Sequence, residues 1–97
     1  MPVAMVVDNP HGSQEIYERI RELMGLEAPL GGTCHLAGPR PEGGWRVIEV
    51  FDSEQDARRF IEERLRPAAE AVGVEPPPPP QFWPLHNCVV GNGGLGA

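Results

Sequence analysis

Three side chains of the 97-residue sequence are equipped to move a proton together: His35, His86 and Glu49. An imidazole titrates near neutral pH, so a strand-borne histidine facing an apolar cavity can take a phenolic or activated carbon proton. A carboxylate on its other nitrogen fixes the tautomer. His35 or His86 is the candidate base and Glu49 the candidate orienting acid. On a hairpin, His35 and Glu49 become neighbours only if the register pairs residues of matching parity, which the sequence leaves open. Trp45 and Trp83 could stack an aromatic ligand, and Val47, Phe51, Asn87 and Tyr17 complete the candidate binding wall.

Each of these residues has a plainer role available. Either histidine also reads as a hydrogen-bonded wall or interface residue, and strand aromatics are commonly core. His35, His86 and Glu49 form a two-histidine, one-carboxylate set of the kind that suits non-haem iron, and either histidine could ligate haem. No HxxE or HxH spacing supports a metal site, so none is expected. Arg46 could bind a substrate carboxylate or enolate, or pair with an acid on the helix side. His11 reads as a solvated turn residue, and Glu62-Glu63-Arg64 as a solvated helix face.

Composition removes several classes. Fourteen acids against eight bases give a net charge of −6, which disfavours phosphate-rich partners, so no nucleic acid is expected. All eight bases are arginine, and without a lysine no Schiff base can form on a lysine amine. No apolar stretch approaches the length of a spanning helix, and the N-terminus lacks the pattern of a signal peptide. No membrane association is expected, and the location is expected to be cytoplasmic. Cys34 and Cys88 lack a CxxC or framework spacing and read as buried free thiols.

The elements that must position these residues follow from periodicity and punctuation. Val3-Ala4-Met5-Val6-Val7 is apolar on both faces and stops at Asp8-Asn9-Pro10, as a central strand would. Ser13 caps a predicted helix over 14–24, with Ile16, Ile20 and Leu23 in a stripe and Tyr17 and Met24 beside it. Gly25 supplies its left-handed cap, and Leu26 is placed to pack back on the last turn. A second strand over 33–38 and a third over 45–51 form a hairpin with a long Gly/Pro loop. Ser53 and Asp56 make a variant capping box for a helix that ends at Gly73, with a kink expected near Leu65–Pro67. Pro76–Pro80 reads as a stiff polyproline spacer, 81–90 as a fourth strand held to a sheet edge by Pro84, and 91–97 as a flexible Gly-rich tail.

The order β-α-β-β-α-β is the ferredoxin-like arrangement: an α+β fold with a four-stranded antiparallel sheet, strand order 4-1-3-2, in one domain over residues 1–90. Two helices cover one face only. Trp45, Val47 and Phe51 are expected on the other, where an apolar patch of several hundred Å² needs cover. A second copy supplies it, so a homodimer with facing sheets and a sheltered hollow is expected.

With Trp45-Arg46-Val47-Ile48-Glu49-Val50-Phe51-Asp52-Ser53 leading into Ala57 and Phe60, and with the terminal Pro84-Leu85-His86-Asn87, the chain resembles the dimeric α+β barrel proteins that include antibiotic biosynthesis monooxygenase-like domains. The resemblance covers roughly residues 2–90. Gly32-Thr33-Cys34-His35-Leu36-Ala37-Gly38-Pro39 and Glu63-Arg64-Leu65-Arg66-Pro67 look like segments of small actinobacterial members. The resemblance implies a dimeric barrel with a small pocket between sheet and helices. Members variously oxygenate aromatic polyketides without a cofactor, degrade haem, isomerise or cleave. Where the cofactor-free monooxygenases place a tryptophan at the end of the third strand, this chain has Phe51. The expected function is binding of an aromatic or polyketide-like molecule, with oxygenation or proton transfer on it and no cofactor or metal. The alternative is a non-catalytic dimeric module for a small apolar ligand or a protein.

Overall fold

Turn and cap chemistry divides the chain where the sequence punctuates it. In a computed structural model describing residues 1–25, 27–74 and 78–91, the elements are β1 (Val3–Asn9), α1 (Gln14–Met24), β2 (Gly32–Pro39), β3 (Trp45–Phe51), α2 (Glu54–Phe60), α3 (Arg66–Val72) and β4 (Gln81–Pro84). The Ser13 hydroxyl accepts from the Ile16 N–H and the Ser53 hydroxyl from the Asp56 N–H, so both helix starts are capped by the expected residues. Gly25 and Gly73 end their helices at positive φ. The predicted packing of Leu26, the residues Pro76 and Pro77 of the predicted spacer and all but Gly91 of the predicted tail lie outside the described residues.

The fold is α+β, a four-stranded antiparallel sheet in the order β2-β3-β1-β4 with helices on one face, compatible with a ferredoxin-like arrangement. The two strands that are apolar on both faces, β1 and β3, are central. Between α2 and α3 the chain makes a π-helical turn, Ile61–Leu65, instead of a simple kink, with the Arg66 N–H reaching back to the Ile61 carbonyl. Pro67 is the cause: its missing N–H and its ring do not fit a continuous α-helix. The wider turn lets α3 restart with proline in its first turn, where no donor is needed.

Strand alternation assigns the faces. Val3, Met5 and Val7 of β1 share a face with Phe51, Glu49 and Val47 of β3, and this face meets the helices. The core is Val3, Met5, Phe51, Ala57 and Phe60, with the Phe51 and Phe60 rings 5.6 Å apart at 45°. Trp45, Val47 and Phe51 are therefore on the covered face, not the open one. Period-two alternation separates two sets of residues but does not say which set the helices choose.

The open face carries Val6, Leu36, Ile48 and Trp83, together with Ala4, Val50, Asp8 and Arg46. It is thus also largely apolar, and Trp83 is 64% exposed. Arg46 pairs there with Asp8, its Nε donating to Oδ1 at 2.6 Å and its outer nitrogen to Oδ2 at 3.0 Å, so its acid partner is not on the helix side.

The fourth strand stops at Pro84, six residues short of the expected Val90. Its partner β1 starts at Val3, which pairs with Pro84, and the last rung is the Leu85 N–H donating to the Pro2 carbonyl. No strand backbone remains for residues 86–90 to bond, whatever their alternation. Among the described residues no helix is long and apolar enough to cross a membrane.

Candidate functional site

The helices meet the sheet unequally. α2 lies directly on β1 and β3, whereas the main contacts of α1 are with α3 and the π-helical turn. No residue of α1 is fully buried. Its apolar stripe of Ile16, Ile20 and Met24, with Tyr17, roofs a hollow of about 100 Å³ whose floor is Met5, Val7, Val47, Trp45, His35 and Glu49. The hollow lies between α1 and the sheet of a single chain, on the covered face and not the open one.

The register that the sequence leaves open is fixed at both ends of the hairpin. From Cys34 to Pro39, β2 runs opposite β3 with His35 directly across from Glu49. The loop sets this phase: the Arg40 N–H donates to the Gly44 carbonyl and the Gly43 N–H to the Arg40 carbonyl, with Gly43 and Gly44 both at positive φ. Gly44 is obligatory, because a Cβ there would fall 2.2 Å from the Asn9 carbonyl oxygen. At the other end a bulge at Thr33 absorbs one residue before Gly32 pairs with Phe51, and the Thr33 hydroxyl donates to the Val50 carbonyl. With straight pairing from Gly32, Cys34 instead of His35 would face Glu49.

Pairing brings His35 to Glu49, and Tyr17 of α1 completes a line of three polar side chains on the wall of a largely apolar hollow. His35 Nδ1 is 2.5 Å from Glu49 Oε1, and His35 Nε2 is 2.5 Å from the Tyr17 hydroxyl. An ionised carboxylate can only accept, so Nδ1 carries the proton and donates to Glu49. In the neutral ring Nε2 is then the acceptor, and the Tyr17 O–H donates to it. The Glu49 side chain is 5% exposed and that of His35 34%, so the chain runs from a buried acid to a more open end. A buried carboxylate needs such a partner. The Tyr17 ring also lies nearly parallel to His35, at 5.9 Å and 22°, and 5.6 Å from Trp45.

Burial pushes the Tyr17 phenol above its ordinary pKa, with Glu18 and Glu49 adding to the rise and Arg21 opposing it. Tyr17 is therefore a neutral donor at physiological pH. Chemically, the arrangement can pass a proton from the Tyr17 oxygen to His35, with Glu49 stabilising the imidazolium that forms.

His35, Glu49, Tyr17, Trp45 and Val47 thus come together. The other four candidates do not join them. Phe51 is fully buried beneath α2, next to the hollow in sequence but packed into the core. Trp83 pairs with Ala4 on the opposite sheet face. His86 and Asn87 are exposed on the segment that leaves the sheet after β4, so His86 does not complete a three-ligand set with His35 and Glu49. Among the described residues no three His, Cys, Asp or Glu side chains gather as a metal site would need.

The cysteines are free, but Cys34 is half-buried and Cys88 exposed, because the strand expected to bury Cys88 ends four residues before it. Arg21, near the Tyr17 hydroxyl, is not singled out by type or motif in the sequence. Its spacing of four from Tyr17 is the signal that places it there. No protein-family model matches the chain, and no curated protein or solved structure does.

Proposed function

We propose that the protein binds a small, largely apolar molecule beneath α1 and transfers a proton on it, with Tyr17 and His35 handling the proton and Glu49 positioning His35. The observation that supports this reading is the continuous Tyr17–His35–Glu49 hydrogen-bonded chain on the wall of an apolar hollow. In the forward step the substrate C–H bond breaks and its electron pair stays on the substrate as an enolate. The proton goes to the Tyr17 oxygen as the Tyr17 proton passes to His35 Nε2, and the reverse sequence returns a proton to the substrate. The same step starts either isomerisation or a cofactor-independent oxygenation. A hollow of about 100 Å³ compares with the roughly 150 Å³ known to hold benzene. The favoured ligand is therefore a single ring or a short chain, smaller than a fused polyketide.

Phenylacetone in deuterated buffer tests the reading, with exchange at its benzylic carbon followed by proton NMR. The wild-type protein is expected to accelerate exchange, and Tyr17→Phe and His35→Ala each to lower the rate by about 100-fold or more, with far-UV circular dichroism unchanged. Binding without exchange would make the protein a ligand-binding module instead. Absence of both overturns the site.

The same proposal includes a homodimer through the open sheet face, where Val6, Leu36, Ile48 and Trp83 supply apolar area. Burying about 300 Å² per subunit would contribute on the order of 7 kcal/mol before association costs. Light scattering at micromolar concentration is expected to give a dimer, and Trp83→Glu a monomer. A wild-type monomer would overturn the dimer and leave the hollow intact.

A further inference from the structure

His35 and Glu49 also line a second, more polar cavity of about 270 Å³. It shares His35, Glu49, Met24 and Phe60 with the apolar hollow as lining residues. Two arginines line it, and their situations differ. The Arg64 outer nitrogen already donates to the carbonyls of Met24 at 3.1 Å, Gly25 at 3.4 Å and Glu27 at 3.0 Å, stapling the chain that follows α1. Arg21 is half-buried and, among the described residues, its guanidinium makes no ion pair, and its one polar neighbour of note is the Tyr17 phenol. It stands one helical turn beyond Tyr17 on the same face of α1, close enough to the phenol to favour its ionisation against burial. A permanently charged guanidinium left without an acid, at the edge of a cavity in a chain of net charge −6, is a fixed electrophilic anchor in an otherwise acidic molecule.

We propose that this second cavity receives a carboxylate of the ligand, read by Arg21, while the ligand's ring fills the hollow beneath α1. The substrate class is then a small aromatic carboxylic acid of the arylacetic type, in which one carbon separates ring from carboxylate. That carbon would lie at the residues the two cavities share, beside the Tyr17–His35 pair. A guanidinium matches a carboxylate with two parallel hydrogen bonds, and the partly buried setting strengthens them. Of the two acids that line this cavity, Glu27 is exposed and Glu49 is engaged by the Nδ1–H of His35, on the other edge of the ring from Tyr17. This inference rests on the reading of the hollow as the ligand site.

Phenylacetate and its neutral isostere phenylacetamide separate the two. Each is titrated into the full chain, with amide chemical shifts recorded by NMR. Phenylacetate is expected to bind roughly tenfold more tightly than the amide, the worth of one charge-assisted pair, and the preference to shrink as salt is raised. Arg21→Gln is expected to bring the two ligands to parity by weakening phenylacetate far more than phenylacetamide, and Arg21→Lys to keep part of the preference. Equal affinities in the wild-type protein, or a preference that survives Arg21→Gln, would overturn the role of Arg21 while phenylacetone exchange still stands. Failure of both ligands to bind would overturn the inference together with the site beneath it.

Discussion

The covered face of the sheet is filled in two different ways. Under α2, Ala57 is fully buried and offers no bulk, so the helix sits down on β1 and β3 and Phe60 reaches Phe51. Under α1 the residues directed at the sheet are Ile16, Tyr17, Ile20 and Met24, none of them small. That helix leans on α3, where Ala68 and Ala69 are buried, and leaves a hollow above the hairpin. One half of a single face is thus solid and the other roofed, and the polar chemistry is confined to the roofed half. A continuous core needs close approach and apolar filling, whereas a site needs space and a partnered polar group.

The largest effect expected from this contrast is on stability. Phe51→Ala should cost about 3–5 kcal/mol, since the space it vacates is closed on all sides. Val47→Ala, at a wall already beside empty space, should cost no more than about 1.5 kcal/mol. Urea unfolding of the two variants measures both, and equal costs would mean that the two halves are packed alike.

Activity should show the reverse order. Glu49→Gln removes the charge that stabilises an imidazolium at His35, so phenylacetone exchange should fall by about 100-fold. The isosteric change should leave the unfolding free energy within about 1 kcal/mol of wild type, because the buried negative charge is lost together with its pairing. A variant that exchanges normally would show that Glu49 only fills the wall.

These two halves were not equally legible in the sequence. The bounds of α1 and β3 follow from Ser13, Gly25 and the alternation of residues 45–51, all of them local signals. The meeting of His35 and Glu49 depends on a five-residue loop and a one-residue bulge, so the sequence states it only as a condition. Residues 81–90 alternate as a strand should, yet β4 is cut short by the start of its partner β1, which no local pattern reveals. The side of Trp45, Val47 and Phe51 is likewise decided by where Ala57 and Phe60 dock. Local chemistry was readable; choices made between distant elements were not.

The open face offers a second acid–base pair for comparison with Glu49 and His35. Arg46 beside Asp8, through its hydrogen bonds and charge, holds the Asp8 carboxyl below the usual carboxylate range. A carboxyl with a lower pKa folded than unfolded contributes stability above its unfolded value, and this is lost as pH falls through the folded value. The Arg46 side chain is 40% exposed and that of Asp8 34%, so solvent screening limits the contribution to less than about 1 kcal/mol. Urea unfolding of Asp8→Asn should show that small deficit at neutral pH. The deficit should begin to shrink below about pH 4 and vanish in stronger acid. A deficit independent of pH would assign it to packing.

The smallest effect tests the roof itself. Tyr17 is the only tyrosine in the chain, so tyrosinate absorbance reports one site. Burial beneath α1, more than any neighbouring charge, raises its pKa. The folded protein should therefore titrate at higher pH than the urea-unfolded chain. The sign for stability is opposite to that of Asp8: the neutral phenol favours the folded state, and the contribution is lost as pH rises through the folded value. Arg21→Gln should move the titration further up, since the guanidinium favours the phenolate, and Glu49→Gln should move it down. If folded and unfolded chains titrate together, α1 does not shelter the Tyr17 hydroxyl, and the hollow beneath it is open to water.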